Sequence, residues 1–482
     1  MSLRKHTVYN IFGIALPLGL SLITIPVYLG MIGEARYGIL AISWILLGYF
    51  GIFDLGLGRA TAQRIASMPQ KRTQELSTTF WTALVMNTVL GIIGGVVMWP
   101  VAIYLFGNVI DIDAMLLSEL SGAIPWMALA VPLITISGVL TGALQGRSQF
   151  LEINIISLAG SVLSQLLPLT IAWLHGPSLD WLLPAVIISR LITIFALYIR
   201  CRKRVFGNFK LIVSYSLAKR LLRFGGWVTV SSIIGPLMVV ADRVLIGASL
   251  GAKSVAFYTV PFQLAERSTI LAGSLASALF PQLAIADAKE RIRLAAEAST
   301  FLAAITTPLV LIGILWVQTF LSWWLSPEFA LQTSVTAQLL LVGFWINGFA
   351  RIPSAFLQAV GKPHVVAMCH MTELVPYLIF LYIGMKYWGL PGAAVVFGLR
   401  TLVDGILLSW FSGTLRNIAL NLRIPSLFIL CGVLVSTLEF DQVVFGSMAK
   451  FILPLLSIIW AWISTPQEKR NQLICAVKSR VK

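Results

Sequence analysis

Residues 225–281 read GGWVTVSSIIGPLMVVADRVLIGASLGAKSVAFYTVPFQLAERSTILAGSLASALFP, two long apolar runs joined by the tight turn Gly247–Ser254. Four charges interrupt the runs: Asp242, Arg243, Glu266 and Arg267. With the turn centred between Ala252 and Lys253, Arg243 and Glu266 differ in height by roughly 6 Å at about 1.5 Å per residue. A long side chain closes that gap, and the same arithmetic brings Asp242 to Arg267. Neighbours in sequence point about 100° apart on a helix and pair poorly, so the expected ion pairs run across the hairpin. Charge inside hydrocarbon is expensive unless it faces a partner or a wet cavity. The hairpin is therefore expected to line the interior of a helix bundle.

The composition around it demands a bilayer. The chain has 482 residues, 58% of them hydrophobic and 11% charged, too little polar surface for a water-soluble fold. The first apolar segment, Tyr9–Ile32, lacks a small-residue cleavage site and reads as a retained span. Counting segments of about 20 apolar residues gives fourteen spans: 8–32, 37–63, 78–106, 121–144, 153–174, 181–199, 224–250, 255–280, 298–325, 334–360, 365–386, 390–413, 424–440 and 443–464. With the N-terminus in the cytoplasm, 25 of the 35 Lys and Arg fall in inner segments, three (Arg36, Lys253, Lys386) in outer ones and seven within spans. This is the positive-inside bias, and it places both termini in the cytoplasm. The net charge of +16 is thus topology and lipid-surface attraction, not a nucleic-acid patch.

Several chemistries have no residues to carry them. The cysteines (Cys201, Cys369, Cys431, Cys475) and histidines (His6, His175, His364, His370) show no disulfide, zinc or triad spacing, so no metal and no cofactor is expected. Gly361-Lys362 is followed by Pro363 and lacks the glycine spacing of a nucleotide-binding loop. Energy must then come from an ion gradient, H+ or Na+, or from the substrate's own disequilibrium. The longest outer segment, Gly107–Leu120, leaves no room for an extracytoplasmic catalytic domain.

The longest inner connection, Arg200–Arg223, sets Leu217, Leu221 and Leu222 against Lys219, Arg220 and Arg223, as an interfacial amphipathic helix does. It divides the chain into an N-terminal lobe (1–199, spans 1–6), the basic linker (200–223), a C-terminal lobe (224–413, spans 7–12) and a C-terminal span pair with a basic tail (414–482). Internal matches support two six-span halves. Gly33-Glu34-Ala35-Arg36 and Gly251-Ala252-Lys253-Ser254 lie 218 residues apart, and Leu144-Gln145 and Leu357-Gln358 lie 213 apart. Leu183-Pro184 and Leu390-Pro391 lie 207 apart. Each half starts inside, so the repeats are parallel, in a pseudo-two-fold arrangement about the membrane normal. Glycines at 138, 142 and 146, and at 91 and 95, read as close helix packing.

Twelve charges remain inside spans, seven basic and five acidic. Arg400 and Asp404 stand one turn apart on one face and read as an ion pair, whereas Asp54 and Arg59, five apart, do not. Arg351 lies too deep to reach an interface and needs an acid, such as Glu373, or an anionic ligand. Surplus arginine suits a phosphate-bearing substrate, because a guanidinium offers bidentate donors to phosphate oxygens. Asp54, Asp242, Glu266, Glu373 and Asp404 are candidates for ion pairing or for holding a coupling ion.

At Tyr37-Gly38, GIFDLGLGRATAQRIA (51–66), ADRVLIGASLGAKSVAFYTVPFQL (241–264) and Pro353…LQAVGKP (357–363) the chain resembles the multidrug/oligosaccharidyl-lipid/polysaccharide exporter superfamily, and within it the Wzx-type O-antigen flippases. The resemblance implies two lobes around a central cationic cavity in a bacterial inner membrane. It also implies alternating access that carries an undecaprenyl-pyrophosphate-linked O-antigen unit from the cytoplasmic to the periplasmic leaflet. Arg59, Arg243, Arg267, Arg351 and Arg400 would bind the pyrophosphate or anionic glycan. Membrane lipids surround the chain, and the O-antigen polymerase and chain-length regulator are partners of such a flippase. A cation antiporter of the same superfamily is disfavoured by the basic surplus, and a membrane O-antigen polymerase by the short outer loops.

Overall fold

A bilayer offers a crossing segment no water, so its backbone must satisfy its own N–H and C=O groups. In the computed structural model every regular element among the described residues is accordingly helical. The structure describes residues 3–66, 68, 73–147, 149–206, 212–220, 234–437 and 444–464. Lys71, Arg72, Lys210, residues 221–223 of the amphipathic segment, the start of the expected seventh span at 224–233, residues 438–443 and the basic tail beyond Ser464 lie outside that set. The helices are α1 (Leu3–Phe50), α2 (Leu57–Ala66), α3 (Thr73–Tyr104), α4 (Ala114–Gly146), α5 (Phe150–His175), α6 (Leu179–Cys201), α7 (Ile234–Glu266), α8 (Thr269–Ile285), α9 (Ala288–Trp324), α10 (Pro327–Ala359), α11 (Pro363–Phe411), α12 (Leu415–Thr437) and α13 (Val444–Ser464). Ten helical stretches are long and apolar enough to cross a membrane, so the chain is an all-α, multi-span membrane protein.

Three of these helices fold back on themselves. Tyr28 and Trp44 are 16 residues apart, roughly 24 Å along a straight helix, yet their ring centroids lie 6.2 Å apart. The reversal is at Gly33 (φ 79°, ψ 166°). In α7 a Cβ added at Gly247 would stand 3.4 Å from Val255 Cγ2, across Gly251 (φ 80°, ψ 166°). In α11 one added at Gly384 would stand 3.0 Å from the Gly392 carbonyl oxygen, across Gly389 (φ 60°, ψ −139°). Side chains rarely tolerate such positive φ values, so glycine marks each turn.

The turn glycines give the internal repeat a backbone meaning. Gly33 and Gly251 share one conformation at the offset of 218, and Gly176 (φ 95°) and Gly389 (φ 60°) are separated by 213. The Leu-Pro match drops out of this register. Pro391 follows its turn glycine by two residues and Pro184 by eight, so that likeness is compositional.

Contacts divide the chain into two compact units, Met1–Ala256 and Phe257–Lys482. In the first, turns that charge parity puts on one side of the bilayer touch one another. Arg36 donates to Glu119 at 3.0 and 2.5 Å, Glu119 accepts from the Leu179 N–H at 3.1 Å, and Lys253 meets Glu34 at 3.2 Å. The Asp111 N–H donates to the Gly247 carbonyl at 3.2 Å and the Asp111 carbonyl accepts from the Ala252 N–H at 3.3 Å. These bonds hold the α7 turn within the first unit. At the other end of the helices Glu152 receives Arg204 at 3.1 Å. In the second unit Leu283, Ala303, Leu311, Ile314 and Ile352 form the apolar centre, which α12 and α13 close with Ile429, Phe428 and Trp460.

Replacing Gly251 by valine forces a side chain into a conformation that costs about 1–3 kcal/mol. Gly251→Val should therefore lower the thermal unfolding midpoint of the detergent-solubilised protein. Gly48→Ala, at a helical glycine with open space beside it, should leave that midpoint close to wild type.

Candidate functional site

The first unit builds a site where its second span breaks. The sequence reads as continuous helix through 37–63, but α1 ends at Phe50, Gly51–Asp54 form a short 3-10 turn, and Leu55 is left-handed (φ 45°) before α2 begins. The break sets the Asp54 carboxylate over the N-terminal end of α2. It accepts from the Gly58 N–H at 3.3 and 3.4 Å and from Asn87 Nδ2. Asn87 is itself tied to α4, donating to the Thr135 carbonyl at 2.9 Å while Thr135 Oγ1 donates to the Asn87 carbonyl at 2.8 Å. Gly138 and Gly58 allow this approach: a Cβ at Gly138 would stand 3.0 Å from Asp54 Oδ1, and one at Gly58 2.7 Å from the Gly138 carbonyl oxygen. The small-residue stripe on α4 is thus close packing, as its spacing suggested, and it walls the carboxylate. Arg59 is exposed and makes no salt bridge with Asp54.

Asp242 and Arg243 are both buried, each 2% exposed, and pair with each other at 3.4 Å. This corrects the expectation that they reach across the hairpin, for Glu266 and Arg267 stand exposed at the junction of α7 and α8. Side chains are not rigid spokes. A guanidinium on a flexible stem curls back to a neighbouring carboxylate when burial removes water as its competitor.

In the second unit Arg351, exposed on α10, donates to Thr269 Oγ1 at 3.4 Å and faces Gly273. Thr269 is the first residue of α8, so the guanidinium lies along the first turn of that helix. Arg267 precedes that end by two residues. Among the described residues no carboxylate pairs with Arg351. The expected partner, Glu373, lies on α11 instead, near Arg400, Asp404 and His370.

There the expected Arg400–Asp404 pair is also replaced. Asp404 meets His370 Nε2 at 3.4 Å, while the Arg400 guanidinium lies over the rings of Tyr377 at 5.3 Å and Phe397 at 5.6 Å. The other arm of the α11 hairpin supplies His370 and Tyr377, which a one-turn spacing argument along a single helix does not see. The sequence reading also passed over Asn87. Its signal was a lone amide in the middle of the apolar run TALVMNTVLGII (82–93).

A family model described as "Polysaccharide biosynthesis protein" matches residues 3–287. A Shigella flexneri protein named "Putative O-antigen transporter" is 32% identical over 422 residues, covering 85% of this chain and 97% of its own. Among solved structures, "Lipid II flippase MurJ, inward closed conformation" is similar with a TM-score of 0.70 at 13% identity, over 97% of this chain and 100% of that one. A multidrug resistance MATE family transporter of the MOP superfamily, in an inward-facing conformation, is similar with a TM-score of 0.68 at 15% identity, over 85% of this chain and 98% of that one.

Replacing Asn87 by leucine removes a buried donor from the Asp54 carboxylate, at a cost of about 1–3 kcal/mol. Asn87→Leu should lower the thermal midpoint, and the double variant Asp54→Asn/Asn87→Leu should recover part of the loss by removing the stranded charge.

Proposed function

The chain belongs to the polysaccharide biosynthesis protein family, and we propose that it flips an undecaprenyl-pyrophosphate-linked O-antigen unit from the cytoplasmic to the periplasmic leaflet of a bacterial inner membrane. Its relatives are transporters and flippases, and the chain is a membrane transporter rather than an enzyme.

The observation that carries this reading is Arg351. Arg351 is an exposed guanidinium within a membrane helix, with no carboxylate paired to it among the described residues, and an anionic ligand would offset its charge. Its guanidinium offers bidentate donors to phosphate oxygens beside the first turn of α8. Arg351 and Arg267 hold the pyrophosphate, with exposed Arg59 as a further contact for pyrophosphate or anionic sugars; Arg243, buried against Asp242, and Arg400, laid against Tyr377 and Phe397, drop out of the expected set. The prenyl tail stays in lipid throughout.

In this reading the ten long stretches, three of them hairpins, together with α13 make fourteen crossings. Two lobes of six crossings alternate in access around a central cavity, and the C-terminal pair stands beside them. Both termini are cytoplasmic, and the O-antigen polymerase and chain-length regulator receive the product. The gradient of H+ or Na+ acts through the interior acids, Asp54 first. Asp54 has a fixed cage of donors and no salt bridge among the described residues, so a proton or sodium ion would change its charge without breaking one.

The test is flipping in proteoliposomes loaded with a defined undecaprenyl-pyrophosphate glycan. Losing charged hydrogen bonds worth about 1.5–3 kcal/mol should raise the half-saturating substrate level of Arg351→Ala by roughly 10- to 150-fold. An Arg267→Ala/Arg351→Ala variant that flips like wild type at equal reconstitution would falsify the assignment. Asp54→Asn should keep slow downhill flipping and lose its response to an imposed proton or sodium gradient. Equal gradient stimulation of Asp54→Asn and wild type would move the coupling site elsewhere.

A further inference from the structure

The chain that follows α6 turns one chemistry inward and another outward. A π turn, Arg202–Phe206, continues α6 and places Val205 in a buried cluster with Leu76 and Phe80 of α3. Further on, the Ser214 N–H donates to Thr82 Oγ1 at 3.0 Å. Leu217 is buried in one apolar cluster with Leu57 and Ala60 of α2, Ala83 of α3 and Val139 of α4. An interfacial amphipathic helix lays its leucines in lipid, whereas here Leu217 packs on protein.

The outward side is basic. Arg200, Arg202, Lys203, Arg204, Lys219 and Arg220 are all exposed. Glu152 meets two of them: Arg204 donates to its Oε1 at 3.1 and 3.3 Å, and Arg200 stands 3.9 Å from the same atom. One carboxylate shared by two guanidiniums leaves a positive charge over, and Lys203, Lys219 and Arg220 add to it. Apolar groups border these cations. Tyr215 is 85% exposed, Ile212 and Val213 are open as well, and Phe195 and Ile199 form an exposed row on α6 that runs to Arg202.

We propose that the two stretches 200–206 and 212–220 dock on anionic phospholipid, in the leaflet at the end of the helices where charge parity puts the cytoplasm. Phosphate groups lie on the basic side chains, Ile212, Val213 and Tyr215 seat among the headgroups, and acyl chains follow Phe195 and Ile199. Cations alone would suit any polyanion. Cations bordered by exposed aromatic and aliphatic groups, and continuous with a lipid-facing helix surface, fit a charged bilayer surface, where both kinds of group gain. Leu217 ties this surface to the Asp54 site. Leu57 and Ala60, in its cluster, flank Gly58, whose N–H donates to Asp54, and Ala83 lies one turn before Asn87. Lipid that holds residues 212–220 down therefore steadies the cage around the carboxylate. The inference rests on packing and charge, and stands whether or not the chain flips a glycolipid.

The experiment is hydrogen exchange, read by mass spectrometry, on the full-length protein in nanodiscs of phosphatidylcholine with or without phosphatidylglycerol. In wild type, phosphatidylglycerol should slow exchange about threefold or more at 212–220 and at 57–66. Lys203→Gln/Lys219→Gln/Arg220→Gln, which alters exposed side chains only, should lose that protection and keep the wild-type thermal midpoint in phosphatidylcholine. Leu217→Ala should keep the lipid response at 212–220 and lose it at 57–66. Wild-type exchange that ignores phosphatidylglycerol, or a triple variant protected as well as wild type, overturns the docking. Equal protection by soluble glycerophosphoglycerol in phosphatidylcholine nanodiscs overturns the bilayer as the partner. A wild-type lipid response at 57–66 in Leu217→Ala overturns the link to Asp54.

Discussion

An ion moved from water into hydrocarbon loses more solvation energy than any single contact returns, and each interior charge of this chain is placed according to how that loss is offset. Asp54 sits in a cage of donors from α2 and α3, fixed in turn by α4. Asp242 and Arg243 neutralise each other. Arg400 rests on aromatic faces and Asp404 on His370. These arrangements stabilise the folded chain without help. Arg351 and Glu373 differ, for the first lacks a carboxylate among the described residues and the second lacks any donor. Groups left unsatisfied by their own fold are where a ligand adds the most free energy.

The helical scaffold was legible because its determinants are local. Hydropathy locates the crossings, and charge parity groups the turns that then meet through Arg36, Glu119, Leu179, Glu34 and Lys253. The loop match at offset 218 found a real equivalence, since only glycine holds the conformation shared by positions 33 and 251. Other features depended on non-local partners and were not legible. GIFDLGLG holds three glycines and an aspartate, and Gly56 (φ 66°) sits in the break at Asp54, but glycine is also frequent in membrane helices, so composition alone did not decide between a break and a continuous span. The partners of Asp404 and Arg400 come from the opposite arm of a hairpin. Spacing along one helix counts the neighbours a charge has, and leaves out the competitors that packing brings to it.

The close approach of α2 to α4 shows how packing and chemistry are joined. With glycine at 58 and 138 the two backbones touch, and the Asp54 carboxylate fits against the bare Cα of Gly138. A larger residue there would separate the helices and let lipid or water reach the carboxylate, exchanging a fixed cage for a fluctuating one. Small residues at this crossing therefore set the electrostatic environment of the acid as well as the distance between helices.

The internal repeat extends to the backbone and stops at the charges. At the offset of 218, Asp54 corresponds to Ala272, Arg59 to Ser277 and Arg243 to Ile25; at the offset of 213, Arg351 corresponds to Gly138, Glu373 to Gly160 and Arg400 to Ile187. No interior charge in either half has a charged counterpart in the other. Duplicated turns thus carry unlike chemistry: a caged acid in the first unit, and in the second a guanidinium with no carboxylate partner among the described residues and a separate acid in an apolar cavity. Two copies of one site would respond together to a single ion. Unlike sites respond separately, so under the proposed assignment an ion at Asp54 and an anionic cargo at Arg351 would bias different parts of the chain. That is the physical requirement for a gradient in one species to drive the transport of another.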